Sequence, residues 1–294
     1  MSDKLQRFLI DKTHVRGELV QLDKVWQTLQ STIDYPAPIR KVLGEALAAI
    51  SLLATTLKFD GSLILQINAT APVHMLVVQA TSKRTVRGLA RWNEEIPDNA
   101  EFQDLFKQGR MIISVEPKDG SERYQSIVEL SANSLADCLT RYFEQSEQLP
   151  TRLWLAANDH RATGLLLQRL PTNDLEHLPE IEDETWQRAL ILTNTISLKE
   201  LLSLESRTLL TRLYHEEELR IFEQEAIEFK CQCSQQKIEQ MVISLGLKEA
   251  EDIIAKQGGI HIDCEFCNSH YELDQTDVTD LFSNTFSPST YTLH

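Results

Sequence analysis

Two short cysteine pairs, Cys231-Gln-Cys233 and Cys264-Glu-Phe-Cys267, decide how the C-terminal part of this chain folds. They hold four of the five cysteines in 294 residues, and 30 residues separate the pairs. Four thiolates from two such clusters are the donors of a tetrahedral Zn²⁺ site, with Zn–S bonds of about 2.3 Å. The same sulfurs are able to form disulfides instead, in three alternative pairings. The pattern therefore predicts either a metal site or a redox switch.

The spacing of the cysteines favours zinc. The second pair has the two-residue spacer common in structural zinc sites, whereas a single residue separates the cysteines of the first pair. His261 and His270 lie near the second pair and are candidate substitute ligands, although ordinary surface histidines are the simpler interpretation. Zinc keeps such thiolates deprotonated, and the thiolate is the form that oxidants attack.

Residues 231–294 are predicted to form a small domain around these cysteines. Residues 238–254 have helical periodicity, Gly258-Gly259 predicts a turn, and residues 260–262 lead as a strand into the second pair. So short a segment has a marginal apolar core and usually needs a covalent or metal cross-link. A bound zinc ion would supply folding energy directly, and its loss would unfold the domain.

The charge of the chain is unevenly distributed. Residues 1–170 carry 20 basic and 20 acidic residues, residues 171–230 carry 6 and 14, and residues 231–294 carry 3 and 10. The net charge of −15 therefore belongs entirely to the last 124 residues. Nucleic-acid binding needs clustered lysine and arginine. We therefore expect no nucleic-acid partner for the cysteine domain.

The predicted compartment is the cytoplasm. The first residues, MSDKLQRFLI, contain no apolar stretch with a small-residue cleavage site, so no signal peptide is predicted. No run of about 18 apolar residues occurs, so no membrane span or membrane partner is expected. Clustered cysteines in a reducing compartment more often bind metal or sense redox state than form structural disulfides.

Residues 1–170 are predicted to be a mixed α/β core domain with a mainly antiparallel sheet, which makes the fold class α+β. Cys138 lies on a predicted helix and is interpreted as a small buried apolar residue. Ser134 is the predicted N-cap of that helix. The predicted helices are 40–58 and 134–145, and the predicted strands are 62–67, 73–80, 110–116, 124–130 and short stretches at Trp154 and 165–167.

Residues 171–230 are predicted to be an acidic helical linker. Leucines recur at helical spacing between glutamates, which predicts two or three amphipathic helices rather than a flexible tether. One interpretation is a helical subdomain packed permanently on the core. The other is a metastable segment that folds only with support from its neighbours.

The sequence does not predict an enzyme. It contains no G-x-x-x-x-G-K-[ST], G-x-G-x-x-G, H-E-x-x-H or G-x-S-x-G motif. Its 10 glycines leave little material for loops that cradle phosphate, and no spacing groups a histidine with a candidate nucleophile. We therefore assign no catalytic residue.

Further motifs accompany the cysteines along nearly the whole chain. They are Phe229-Lys-Cys231-Gln-Cys233-Ser234, Tyr271, Arg212-Leu-Tyr-His-Glu-Glu-Glu218, Arg123-Tyr-Gln125, Ser146-Glu-Gln-Leu-Pro-Thr151 and Arg16-Gly-Glu-Leu19. With these motifs the chain resembles the 33-kDa heat-shock protein family, the redox-regulated bacterial holdase chaperones. The cysteine spacing together with the 146–151 run makes the resemblance specific.

The resemblance implies an ATP-independent chaperone that holds zinc through Cys231, Cys233, Cys264 and Cys267 when reduced. It implies that oxidation pairs Cys231 with Cys233 and Cys264 with Cys267, releases zinc, and unfolds residues 231–294 and 171–230. It also implies that the reduced protein is a largely inactive monomer. The oxidised protein would be a homodimer that binds unfolding client proteins during oxidative stress.

Two other classes of function fit the cysteine pattern taken alone. A static zinc-ribbon module that contacts a protein partner would keep its zinc under peroxide. A thiol–disulfide enzyme would reduce or isomerise test disulfides catalytically. Such an enzyme usually has a C-x-x-C at a helix start in a βαβ setting, which the surroundings of Cys264 and Cys267 lack.

Overall fold

A computed structural model describes residues 3–11, 13–56, 59–171 and 179–285 of the chain. They divide into two units, Met1–Lys230 and Cys231–His294. The first unit contains two clusters of buried apolar side chains and the second contains one.

The first unit is built from strands and helices that alternate irregularly along the chain. Its strands are β1 (Lys4–Ile10), β2 (Val15–Leu22), β3 (Gly61–Asn68), β4 (Ala71–Thr81), β5 (Thr85–Trp92), β6 (Phe106–Lys107), β7 (Arg110–Pro117), β8 (Tyr124–Glu129), β9 (Thr151–Ala157), β10 (Ala162–Arg169), β11 (Leu219–Ile221), β12 (Glu225–Ala226) and β13 (Glu228–Phe229). Its helices are α1 (Lys24–Gln30), α2 (Ala37–Thr56), α3 (Phe102–Leu105), α4 (Leu135–Tyr142), α5 (Pro179–Asn194), α6 (Leu198–Ser203) and α7 (Ser206–Leu213), and a π-helical turn, Phe143–Glu147, follows α4.

The strands form two sheets, which confirms the predicted α+β class. The first sheet has the order β11-β1-β2-β10-β9, with β12 also beside β1. The second has the order β13-β5-β4-β3-β7-β8, with β6 beside β4. All the pairings in both sheets are antiparallel except that of β13 with β5.

Helix α2 packs against strands of both sheets, and its sequence explains how. Ala46, Ala48 and Ala49 are fully buried, so small side chains let the sheet backbones come close to the helix axis. Gly44 has the same role, because a Cβ atom there would lie 2.5 Å from the Cβ of Ala157. The predicted helix at 40–58 is thus confirmed, and it begins three residues earlier.

Helices α5, α6 and α7 cover one face of the first sheet. The buried side chains between these helices and the sheet form the second apolar cluster, in which leucines of the helices pack with alternate residues of the strands. The predicted amphipathic helices are confirmed, because buried leucines such as Leu201, Leu209 and Leu210 alternate with exposed polar residues in α6 and α7. The buried residues of the cluster are Phe8, Ile10, Val15, Leu19, Ala156, Leu165, Leu167, Trp186, Ala189, Leu201, Leu209, Leu210, Leu213 and Tyr214.

The other sequence predictions for residues 1–170 agree with the structure. All the predicted strands are present, with ends shifted by no more than three residues. Ser134 is the N-cap of α4, where its hydroxyl accepts a hydrogen bond from the amide of Asp137 at 3.1 Å. Cys138 is buried on that helix at 1% exposure, and burial raises the pKa of its thiol.

A buried ion pair connects helix α6 to the sheet beneath it. The Arg161 guanidinium donates two hydrogen bonds to the Asp23 carboxylate, at 2.6 and 2.9 Å. It also donates to the backbone carbonyl of Leu202, at 3.1 Å, in the last turn of α6. The side chains of the pair are only 15% and 5% exposed. One arginine therefore satisfies a buried carboxylate and the end of a helix together.

We expect Arg161→Ala to destabilise the first unit by about 3 kcal/mol, because it leaves the Asp23 carboxylate buried without its partner. Urea unfolding followed by circular dichroism measures this change. The matched control is Arg152→Ala, which removes an ion pair to Glu144 whose partners are 46% and 49% exposed. The control should lose less than about 1 kcal/mol. Equal losses in the two variants would contradict the assignment.

Candidate metal centre

The described residues of the second unit form three helices and a hairpin around a small core. Its elements are α8 (Gln235–Leu245), α9 (Leu247–Gln257), β14 (Ile260–Asp263), β15 (His270–Leu273) and α10 (Gln275–Thr285). The buried core residues are Ile238, Val242, Ala250, Ile254, Ile260, Leu273, Val278 and Phe282. Eight such side chains are a small apolar inventory for a domain of this length, which agrees with the expected need for a cross-link.

The helical periodicity predicted over residues 238–254 is confirmed, but it is divided between two elements. The structure has two helices, α8 and α9, separated at Gly246. Gly246 has a φ of 91°, which an L side chain rarely adopts and which a continuous helix cannot contain. The apolar periodicity continues across the break because Ile238, Val242, Ala250 and Ile254 all face the same core.

Cys231 and Cys233 lie immediately before α8. The N-cap of this helix is Ser234, whose hydroxyl accepts a hydrogen bond from the amide of Lys237 at 3.3 Å. A serine cap fixes the start of a helix by satisfying one of its free amides. The first cysteine pair is thereby held at a defined helix end.

Cys264 and Cys267 lie in the turn between β14 and β15. The Cys264 carbonyl accepts hydrogen bonds from the amides of Cys267 and Asn268, at 3.2 and 2.6 Å. The Cys264 amide donates to the Ser269 carbonyl at 2.9 Å and closes the turn. Asn268 takes the left-handed conformation with a φ of 55°, which asparagine tolerates better than most residues. This compact turn keeps both thiols on a short piece of chain.

The four sulfur atoms come together. The Sγ atoms of Cys231 and Cys264 are 3.5 Å apart, and those of Cys233 and Cys267 are 3.4 Å apart. All four lie within 4.8 Å of one another, and each cysteine is partly exposed. Both of these contacts join one pair to the other.

The arrangement fits a tetrahedral metal ion. Sulfurs bound to zinc at about 2.3 Å stand about 3.8 Å apart, close to the separations observed. Four thiolates and no carboxylate form a soft donor set, which suits zinc or another thiophilic ion rather than magnesium or calcium. The four clustered cysteines therefore form a site that could hold a metal ion.

The surroundings give the thiols different acidities. Desolvation raises the pKa of Cys267, but hydrogen bonds from the Ser269 hydroxyl and amide and from neighbouring thiols outweigh it and lower the pKa to about 7. Burial is the main cause that raises the pKa of Cys264 to about 12. Burial also raises the pKa of Cys233. In the reduced protein without metal, Cys267 is therefore the first of these three thiols to ionise.

Two side chains that contact the sulfurs have no role predicted from the sequence. The Ser269 hydroxyl is 3.2 Å from the Cys267 Sγ. The Tyr271 phenol is hydrogen bonded to the Cys233 sulfur, and this contact is the main cause that raises its pKa to about 12. No linear motif signals these contacts, because they depend on how the turn and β15 place the side chains.

The two candidate substitute ligands lie apart from the sulfur group. The cluster of possible ligands at the cysteines contains neither His261 nor His270. Both histidines belong to a second cluster with Glu272 on the hairpin. In the described residues these are the two groups of histidine, cysteine and acidic side chains close enough to share an ion.

Comparison with known proteins identifies the family. Residues 3–274 match the family model described as Hsp33 protein. The chain is 44% identical over 293 residues to the 33 kDa chaperonin of Nitrosococcus oceani, covering 99% of both chains. It is 46% identical over 284 residues to the 33 kDa chaperonin of Pseudomonas aeruginosa strain LESB58, covering 96% of this chain and 95% of the relative. The chain belongs to the Hsp33 family of chaperones, as the resemblance predicted.

A solved structure shares the fold. The crystal structure of the 33 kDa chaperonin, a heat shock protein 33 homologue, from Thermotoga maritima superimposes with a TM-score of 0.79. It covers 96% of this chain and 98% of its own, at 23% sequence identity. Separately, none of the helices in the described residues has the length and hydrophobicity needed to cross a membrane.

We expect iodoacetamide to alkylate Cys267 first in the reduced, metal-free protein. Its lowered pKa of about 7 means that its thiolate is populated as the pH rises through 7, well below the ordinary value of 9.0. Peptide mass spectrometry after brief labelling between pH 6 and 9 measures the order of labelling.

Ser269→Ala should shift the labelling of Cys267 to higher pH, because the variant removes a hydrogen bond that stabilises the thiolate. Ser244→Ala, on α8, is the control, since its hydroxyl donates to the Met241 carbonyl instead. An unchanged profile in Ser269→Ala would show that this hydroxyl does not set the acidity of Cys267.

Proposed function

We propose that this protein is a redox-regulated, ATP-independent holdase that binds unfolding proteins and prevents their aggregation. The observation that carries the proposal is the group of four partly exposed cysteine sulfurs within 4.8 Å in a chain of the Hsp33 family. Such a chaperone acts by binding rather than by catalysis. The proposal includes a cytoplasmic location, where reduced thiols persist.

Cys231, Cys233, Cys264 and Cys267 would hold Zn²⁺ in the reduced protein. When bound, the ion would tie the segment before α8 to the β14–β15 turn and so add folding energy to the small core. The residues themselves contribute four thiolates, and the protons that these thiols lose leave on binding. Metal affinity should therefore fall as the pH is lowered.

Oxidation would remove these donors. Each disulfide forms when two thiols give up two electrons and two protons, while one hydrogen peroxide is reduced to two waters. The family resemblance favours the pairs Cys231–Cys233 and Cys264–Cys267. The contacts at 3.5 and 3.4 Å join Cys231 to Cys264 and Cys233 to Cys267, so peptide mapping of the oxidised protein must decide between the pairings.

The second apolar cluster is the surface that would become exposed if residues 171–230 opened. Helices α5–α7 bury strand residues such as Phe8, Leu19 and Leu165 on one face of the first sheet. If this segment opens, both the sheet face and the inner faces of the helices become available. Exposed apolar surface of this kind binds other apolar surface, including that of unfolding proteins or a second copy of this chain. We therefore propose that the reduced protein is a monomer and that the oxidised protein is a homodimer.

The end of this segment is held by a small number of contacts. Strand β11 lies beside β1, and β13 lies beside β5, through three and two residue pairs respectively. Between them, Glu225 forms ion pairs with both Arg7 and Arg84. The Glu225 side chain is only 15% exposed, whereas the two arginines are about half exposed. One carboxylate thus joins residues 219–229 to both sheets.

The main test combines zinc release with chaperone activity. Reduced, zinc-loaded protein is treated with hydrogen peroxide at about 40 °C while a coloured chelator reports zinc and light scattering reports aggregation of a thermolabile client. We expect about one zinc per chain to be released, and scattering to be suppressed only after release.

Cys138→Ala is the control, because Cys138 is buried on α4 and should leave the response unchanged. Cys233→Ser should lose regulated zinc release. Zinc that is retained, or released without suppression of scattering, would favour a static zinc-ribbon module that binds protein partners without redox activation.

We also expect Glu225→Gln to loosen residues 219–229. Loss of the carboxylate charge weakens both arginine contacts, by about 1 kcal/mol in total, and should speed amide exchange of this segment about fivefold. Hydrogen exchange with mass spectrometry measures it in the reduced protein. Glu223→Gln, an exposed position two residues away, is the matched control. Equal exchange in both variants would show that Glu225 does not hold the segment.

A further inference from the structure

The β14–β15 hairpin has one apolar face and one face made of metal-binding side chains. In register, His261 lies opposite Glu272 and Asp263 lies opposite His270. All four are exposed, while the alternating residues between them contribute to the core side. Side chains directly opposite each other on an antiparallel pair are near neighbours, so the four polar groups form one compact patch.

The distances within this patch suit a shared ligand. The imidazole rings of His261 and His270 are stacked with centroids 5.8 Å apart. The Nδ1 atom of His261 is 3.9 Å from a carboxylate oxygen of Glu272. One donor atom from each of His261, His270 and Glu272 lies within 4.8 Å of the others.

We propose that the exposed face of the β14–β15 hairpin binds a second divalent transition-metal ion through His261, His270 and Glu272. Nitrogen and oxygen donors around zinc at about 2.1 Å stand about 3.4 Å apart, so the side chains must close by about 1 Å. Exposed side chains make such rotations easily, because no packing opposes them.

Asp263 orients one of the ligands. Its carboxylate is 2.8 Å from the Nδ1 of His270. An ionised carboxylate only accepts hydrogen bonds, so Nδ1 carries the proton and Nε2 keeps the lone pair that binds metal. Carboxylates hold metal-binding histidines in this way in many metal sites. Asp263 is therefore a positioning residue rather than a ligand.

The donor set defines the class of ion. Two imidazoles and one carboxylate suit zinc, copper(II), nickel or cobalt better than magnesium or calcium, which prefer all-oxygen sites. Residues 231–294 carry 3 basic and 10 acidic residues, and this negative field favours a cation. The donors contain no sulfur, so peroxide that oxidises thiolates leaves them intact.

Binding here would stabilise the hairpin independently of the sulfurs. The site takes His261 from β14 and His270 and Glu272 from β15, so one ion would cross-link both strands. The turn between these strands contains Cys264 and Cys267. A hairpin cross-linked in this way would keep its two strands together even where oxidation of the turn cysteines unfolds the rest of the unit.

The test is equilibrium dialysis of the full chain, reduced and already loaded with one zinc, against increasing free Zn²⁺. We expect a second, weaker equivalent per chain in the unaltered protein. The double variant His261→Ala/His270→Ala should weaken it at least tenfold while keeping the first equivalent, which also reports that the unit is folded. Glu272→Gln and Asp263→Asn should weaken it less. The matched control is His160→Ala/His215→Ala, which removes two exposed histidines of the first unit.

Three outcomes would overturn the proposal. In the first, no second equivalent binds. In the second, the hairpin double variant and the control lose it equally. In the third, all variants keep it, which would indicate adventitious surface binding. Repeating the dialysis after peroxide treatment distinguishes this site from the proposed redox switch. The hairpin site does not depend on that switch. Peroxide should remove the first equivalent and leave the second. If the first equivalent resists peroxide, the redox proposal fails while the hairpin site stands.

Discussion

The contact among four sulfur atoms is the constraint on which the second unit depends. Cys231 and Cys233 belong to no helix or strand, whereas Cys264 and Cys267 are fixed by the hydrogen-bonded turn of a hairpin. The core behind them contains eight buried apolar side chains. So small a core offsets little of the conformational entropy lost on folding. A cross-link between the two cysteine segments therefore has an unusually large effect on whether this unit is folded.

The first unit distributes its stability differently. Helix α2 is buried with residues of both sheets, and the interior around it holds most of the buried apolar side chains in the described residues. Helices α5–α7 cover the outer face of one sheet. Buried apolar side chains of these helices, including Trp186, Leu201 and Leu210, pack against that sheet, as expected of amphipathic helices. A stable interior and a peripheral cover are what a protein needs if it is to expose apolar surface without unfolding completely.

Much of the fold was predictable because local patterns and tertiary packing agree. The alanine-rich helix α2 and the strands β3, β4, β7 and β8 have clear periodicity, and Ser134 is a recognisable cap. The break at Gly246 was not predicted, since the apolar residues on its two sides continue one helical repeat although the backbone turns away. Strands β1 and β2 were also missed, because apolar residues bury on both faces of the first sheet and weaken the alternation expected of a half-exposed strand.

The candidate metal centre was likewise predictable in part. The four cysteines are the only clustered thiols in the sequence, so their meeting was predictable from residue type and spacing. Ser269 and Tyr271 act through the geometry of a turn, which no spacing rule encodes. His261 and His270 are evident in the sequence, but their closeness to each other depends on the cross-strand register of β14 and β15. Register is a property of the folded hairpin and becomes visible only there.

The short strands β11, β12 and β13 explain how the peripheral cover could open while the interior persists. Each contains two or three residues, too few to show any period in the sequence. They nevertheless occupy the edges of β1 and β5, which would otherwise present unpaired backbone groups. Short edge strands have few hydrogen bonds to break, so they open at a lower cost than central strands. Their loss would free the backbone edges of β1 and β5, and β1 belongs to the sheet whose apolar face α5–α7 cover. An extended segment of an unfolded protein can use a free edge and an apolar face together.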